Sequence, residues 1–121
     1  MMDAEGFERR AGRRRSSRGS VITVAPVLDE SKSFFGHAQN ISRSGMLIHT
    51  HMPIREGDEL ELEFTLPGTE SIIRCRAKVR WAGEFSGGKT KVSRGGLEFL
   101  DLDPVFTDRI DRWAAVEINA D

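Results

Sequence analysis

The sequence predicts a mostly β fold: a six-stranded antiparallel barrel with a C-terminal α-helix over one opening and a flexible basic arm at the N-terminal end. Three observations predict it. Residues 59–66 and 73–81 alternate apolar and charged or polar side chains with a period of two, as strands with one wet face do. Turn-forming residues recur at short intervals between strand-like segments, the spacing of a small barrel. A single helical stripe, Phe106, Ile110 and Trp113 with Ala114 beside it, follows the last of these segments.

Taken in order, residues 1–18 are the arm and 19–121 the barrel with its helix. The arm has few large apolar residues beyond Phe7, so it buries little surface and is expected to be mobile. Val21-Ile22-Thr23-Val24 is a β-branched run and the expected first strand. Asp29 to Lys32 reads as a loop, Phe34 to Ile41 as the second strand and Met46 to His51 as the third. Glu59 to Leu66 is the clearest strand, with Leu60, Leu62, Phe64 and Leu66 on one face; Pro67-Gly68 closes it. Ile73, Cys75, Ala77, Val79 and Trp81 share a face of the fifth strand, which places Trp81 with the core residues as readily as with a site. Glycines 83, 87 and 88 predict a mobile hairpin loop, and Val92 to Leu100 the last strand. Gly95-Gly96 predicts a bulge or a crowded crossing. Asp103 supplies an N-cap and Pro104 a first helical residue. Trp113 reads as the anchor of this helix on the barrel.

The chain of 121 residues suits one domain with a modest core. Its formal net charge of -1 excludes a global basic field. The charge is unevenly placed, however: six arginines and no acid lie between Arg9 and Arg18. A local cationic arm on a neutral body fits a small anionic ligand better than long nucleic acid. Cys75 is the only cysteine, so no intramolecular disulfide forms, and the residue is expected in the core. No stretch approaches the ~18 consecutive apolar residues of a membrane helix. The N-terminal residues lack the apolar core of a signal peptide, and a cytoplasmic location is the expectation.

Two short motifs, 22 positions apart from Arg18 to Asn40, carry the functional signal. Arg14-Arg15-Ser16-Ser17-Arg18 is an RxxxR, and Asn40-Ile41-Ser42-Arg43-Ser44-Gly45 is an NxSxxG between two strands. Arginine offers a planar fork that suits both phosphate and the O6/N7 edge of guanine, and it stacks on purine faces. Asn40 and Ser42 offer short polar contacts to a base edge, and Gly45 allows a tight turn or a close backbone approach.

In this order, ahead of a β-rich body, the motifs resemble the PilZ domain. The likeness runs from about Arg13 to about Val116, and Ala77-Lys78-Val79-Arg80-Trp81 with Gly96-Leu97-Glu98-Phe99 resembles the late strands of that family. The resemblance implies a bacterial receptor for the second messenger cyclic di-GMP. It would bind without catalysis, cofactor or metal, and would pass the signal to a protein partner. It implies Arg14 and Arg18 as the motif arginines, because Arg18 directly precedes the expected first strand; Arg9/Arg13 and Arg10/Arg14 also satisfy the spacing. Arg13 and Arg15 would be supporting charges. Asn40, Ser42 and Gly45 would form the turn, and Trp81 matches a position beside the nucleotide in some family members. A neutral Asn40 in place of the aspartate that other members use removes a charge-assisted acceptor for guanine N–H groups. Ligand stoichiometry of one or two is open, and the extra arginines favour a stacked pair.

Other readings compete. A PilZ-like adaptor that binds no nucleotide is the first. A single-stranded nucleic-acid binder is disfavoured because no aromatic residue interrupts the arginines from 9 to 18 and the chain has no tyrosine. His49 and His51 share a strand face, but no third metal ligand is evident and His37 stands apart in sequence. An enzyme is disfavoured, since no nucleophile and base are paired; Glu59, Glu61 and Glu63 read as a solvated strand face.

Overall fold

The computed structural model describes residues 13–87 and 90–119. It contains strands β1 (Arg15–Pro26), β2 (Phe34–Ser42), β3 (Gly45–Thr50), β4 (Glu59–Thr65), β5 (Ile72–Gly87) and β6 (Thr90–Phe99), a 3-10 turn (Glu30–Lys32) and one helix, α1 (Pro104–Asn119). The strands close into an antiparallel barrel in the order β1-β2-β3-β6-β5-β4, the architecture the sequence predicts. The arm's residues 1–12 and Gly88 of the expected hairpin loop lie outside the described residues.

Alternation decides what faces inward. Leu60, Leu62 and Phe64 of β4 and Ile73, Cys75, Ala77 and Val79 of β5 are buried, while Glu61, Glu63, Arg74, Arg76 and Lys78 face outward. Register β4–β5 sets Glu63 opposite Arg74, an opposite-charge pair on the wet face with the arginine Nε 2.5 Å from the carboxylate. Ile22, Val24, Ile41, Met46, Ile48 and Leu97 fill the rest of the interior. Each such buried side chain stabilises the fold by about 1.5–3 kcal/mol relative to exposure.

The helix plugs one end. Asp103 caps it as expected: its Oδ1 accepts the Val105 N–H at 2.8 Å. Ile110, Trp113 and Ala114 are buried in the core cluster, with Phe106 packed partly against it. Trp113 Nε1 donates to the Pro67 carbonyl at 3.0 Å, which ties the helix to the turn after β4.

Two boundaries differ from expectation. β1 starts at Arg15, not Val21, because Arg15 pairs with Ile41 and Ser16 with Asn40. An arginine- and serine-rich stretch has weak strand propensity, and pairing with β2 overrides it. β5 and β6 also run on as a two-stranded ribbon to Gly87 and Thr90, through Gly83, where a loop was expected.

Candidate functional site

The NxSxxG stretch is a hairpin. Asn40, Ile41 and Ser42 end β2, Arg43 and Ser44 form the turn, and Gly45 starts β3 opposite Ser42. Ser42 is fully buried, and its Oγ accepts the Ser44 N–H at 3.3 Å and lies 3.1 Å from the Ser44 Oγ, so it clamps the turn. Arg43 reaches Asp111 of α1 at 3.4 Å. Gly45 answers a packing demand: a Cβ there would lie 1.8 Å from the Leu97 carbonyl oxygen. Only glycine lets β3 approach β6 this closely. One residue before the motif, Gln39 is extra in β2, a bulge between the Ala38–Ile48 and Asn40–Leu47 pairs. The bulge brings Asn40 onto the outer face beside Leu47.

The arginines diverge. Arg14 reaches the motif with both nitrogens: Nη1 donates to Asn40 Oδ1, and Nη2 lies 3.4 Å from Ser42 Oγ. Arg15, one residue on, goes to the helix. Its Nη1 donates to the Trp113 carbonyl at 2.9 Å, and its guanidinium carbon stands 4.6 Å from the Trp113 ring centroid. Arg15 thus fastens β1 to α1, where it was expected as a supporting charge for a ligand. Arg18 sits on a second bulge, between the Ser16–Asn40 and Ser20–Ala38 pairs, with φ 54° followed by Gly19 at 74°. A left-handed conformation costs a non-glycine residue about 1–2 kcal/mol. Ser17, buried beneath, holds the bulge by donating to the Ala38 carbonyl. Arg13 and Arg18 are exposed, and no side-chain partner engages either guanidinium among the described residues.

Trp81 corrects the core alternative. Arg80 is an extra residue between the Val79–Leu97 and Trp81–Gly96 pairs, so the alternation that buries Cys75, Ala77 and Val79 is broken there. Trp81 turns outward and is 47% exposed. A Cβ on Gly96 would lie 2.2 Å from its Nε1, so the indole lies against the bare backbone of β6. Arg80 itself pairs with Glu98. Across four strands, Asn40, Leu47, Gly96 and Trp81 are successive partners in one row on the outer face. At the ~4.8 Å strand spacing that row is roughly 14 Å long. It has a guanidinium and amide at one end and an aromatic platform at the other, complementary to an anionic purine nucleotide.

Other sites expected or excluded from sequence take shape as follows. Cys75 is buried, and burial, reinforced by the Asp101 carboxylate, pushes its thiol up to about 12, so it is a core residue and no nucleophile. His37 is not remote: the bulge at Gln39 sets it directly opposite His49. No cluster of three or more metal-ligating side chains occurs among the described residues. A cavity of about 590 Å³ lies on another side of the barrel between β1, β4 and β5, lined by Thr23, Glu61, Glu63, Arg74, Arg76 and Asp101. Its mixed charges, with Arg74 already paired to Glu63, suit an anion less well than the motif face does. Sequence reasoning missed Leu47 and Gly96, because only strand register places them between the two ends of the row. No helix among the described residues is long and apolar enough to cross a membrane.

The comparisons agree with this architecture. The family model "PilZ domain" matches residues 12–115. No curated protein matches the chain. Among solved structures, the Bacillus subtilis inhibitor of motility MotI/DgrA is similar at 20% identity and TM-score 0.73, covering 99% of this chain and 58% of its own. The PilZ domain of Escherichia coli YcgR, solved with c-di-GMP, is similar at 19% identity and TM-score 0.69, covering 93% of this chain and 95% of its own. The Borreliella burgdorferi PlzA protein, in complex with c-di-GMP, has 14% identity and TM-score 0.56, over 84% of this chain and 46% of its own. The chain thus spans about half of two of these relatives, and the likeness to all three is one of fold.

Proposed function

The chain belongs to the PilZ domain family, and on that premise we propose that it is a bacterial, cytoplasmic receptor for cyclic di-GMP that acts without catalysis. The single observation that carries the reading is the reach of Arg14 to both Asn40 and Ser42. Through Arg14 the RxxxR arm meets the NxSxxG turn, distant in sequence. On binding, Arg14 and Arg18 take phosphate and guanine edges, with Arg13 as an added charge. Asn40 and Ser42 meet a base edge, Gly45 maintains the hairpin they stand on, and Trp81 stacks a base. The N-terminal arm ahead of β1 orders over the ligand, and the changed surface is offered to a protein partner. Two ligands per chain, stacked, remain part of the proposal.

Calorimetric titration of the full chain with cyclic di-GMP, with GTP as control, tests this. Saturable heat at one or two ligands per chain is expected, and the double variant Arg14→Ala/Arg18→Ala should lose it. Unchanged affinity in the double variant would refute the site. A second reading has one observation in its favour: Arg14 already satisfies Asn40 and Ser42, so the motif is self-bonded as it stands. A folded wild type that gives no heat at two temperatures would favour an adaptor that works through protein contacts alone.

A further inference from the structure

We infer that Arg94 of β6, flanked by His49 of β3, extends the same nucleotide surface as a second row and binds a phosphate of the ligand. The inference rests on the cyclic di-GMP reading and extends it to residues outside both motifs.

The argument is one of register. Val21, His37, His49, Arg94 and Gly83 are successive partners across β1, β2, β3, β6 and β5. His49 is two residues beyond Leu47 on β3, Arg94 two residues before Gly96 on β6, and Gly83 two residues beyond Trp81 on β5. Steps of two keep the same face, so this row runs parallel to the Asn40–Trp81 row, roughly 6.6 Å away. A nucleotide whose base lies on Trp81 has its sugar and phosphate to place on one side of the indole, and the His49–Arg94 side is the cationic one. His37 Nδ1 lies 3.1 Å from the Gly19 carbonyl, so the row also abuts the bulge that carries Arg18. The two rows together therefore link Arg14, Arg18, Trp81 and Arg94 around one patch. Gly83, the β5 partner of Arg94, carries no side chain and has open space where one would stand.

Across the sheet His49 faces His37 of β2 and Arg94 of β6, and His51 follows it on β3; Val21 and Gly83 at the ends of the row bring no charge. Burial first, then Arg94 and His37, hold the His49 imidazole below its usual range. A phosphate seated there opposes the effect of Arg94, favours the imidazolium and draws in a proton. Binding should then tighten as pH falls towards the His49 titration range.

The test is titration of the full chain with cyclic di-GMP at pH 6 and pH 8 for wild type, Arg14→Ala, Arg94→Ala, Arg94→Gln and His49→Gln, with thermal melts of each. Expected are a loss of about tenfold or more in affinity for both Arg94 variants, as for a lost charge-assisted bond. His49→Gln should flatten the pH dependence, and the melting temperature of Arg94→Gln should stay near wild type. If wild type binds, Arg14→Ala fails to bind, and the Arg94 variants bind as wild type, this inference is overturned while the receptor reading stands. A wild type that binds nothing overturns both.

Discussion

Replacing Gly45 by alanine should unfold the site before it changes any chemistry. The added Cβ would lie 1.8 Å from the Leu97 carbonyl oxygen, 2.9 Å from the Leu97 carbonyl carbon and 3.2 Å from the Glu98 Cα, whereas real Cβ contacts stay above 3.0 Å. All three neighbours are backbone, so no side chain can swing aside. β3 and β6 must part by more than an ångström where Gly45 pairs with Glu98 and Met46 with Leu97. A backbone hydrogen bond stretched that far from its ~2.9 Å optimum is lost. The Phe99 N–H to Ser44 carbonyl bond, at 2.8 Å, is among those in the path. Two such losses at about 1 kcal/mol each, with overpacking of 1–3 kcal/mol, give about 3–5 kcal/mol. For a domain of this size that is a fall in Tm on the order of 15 °C. Circular dichroism melts and urea titration at one protein concentration measure it. A Gly45→Ala protein that melts within ~2 °C of wild type, a shift that corresponds to well under 1 kcal/mol at this size, would refute the close-packing account and return Gly45 to a direct role in binding.

Further outcomes follow from other contacts in the structure. Gly96→Ala meets a side chain, since the three atoms nearest the added Cβ all belong to the Trp81 indole, so it should cost only about 1 kcal/mol; Trp81 should be pushed off the sheet, with a red-shifted fluorescence maximum as the readout. Arg15→Ala removes a hydrogen bond and a cation–π contact to Trp113, so a loss of about 1–2 kcal/mol is expected in chemical denaturation. Cys75, with its thiol raised to about 12 from 9.0, should not react with a thiol reagent at pH 8 until the chain unfolds. The sign for stability follows from the same shift: below pH 9 both states hold the proton, and between 9 and 12 only the unfolded thiol gives it up. Stability should therefore fall through that window, and less so in Cys75→Ala.

Much of this was legible in the residues. The alternation of Glu59 to Leu66 and of Ile73 to Val79 marks two strands because a sheet residue has only two faces to choose between. The stripe of Phe106, Ile110 and Trp113 marks the helix for the parallel reason at a period of 3.6. The order of RxxxR and NxSxxG marked Arg14, Asn40 and Ser42 as a candidate cluster, and the structure does bring these three together. It does not bring Arg15 with them, since one residue's alternation sends that guanidinium to Trp113.

From sequence alone, then, came the fold class, the family likeness and candidate residues for both ends of the site, Trp81 among them, all of which rest on local period, contiguous motifs or the resemblance they carry. Tertiary structure alone decided which residues stand side by side on the outer face. Three bulges, around Arg18, at Gln39 and at Arg80, reset the register by amounts no local pattern announces. A single extra residue exchanges the inner and outer faces of everything beyond it. For that physical reason Trp81 lies outside rather than in the core, and His37 meets His49 rather than Thr50. The closure of the barrel selects those bulges, and with them the surface on which a ligand would lie.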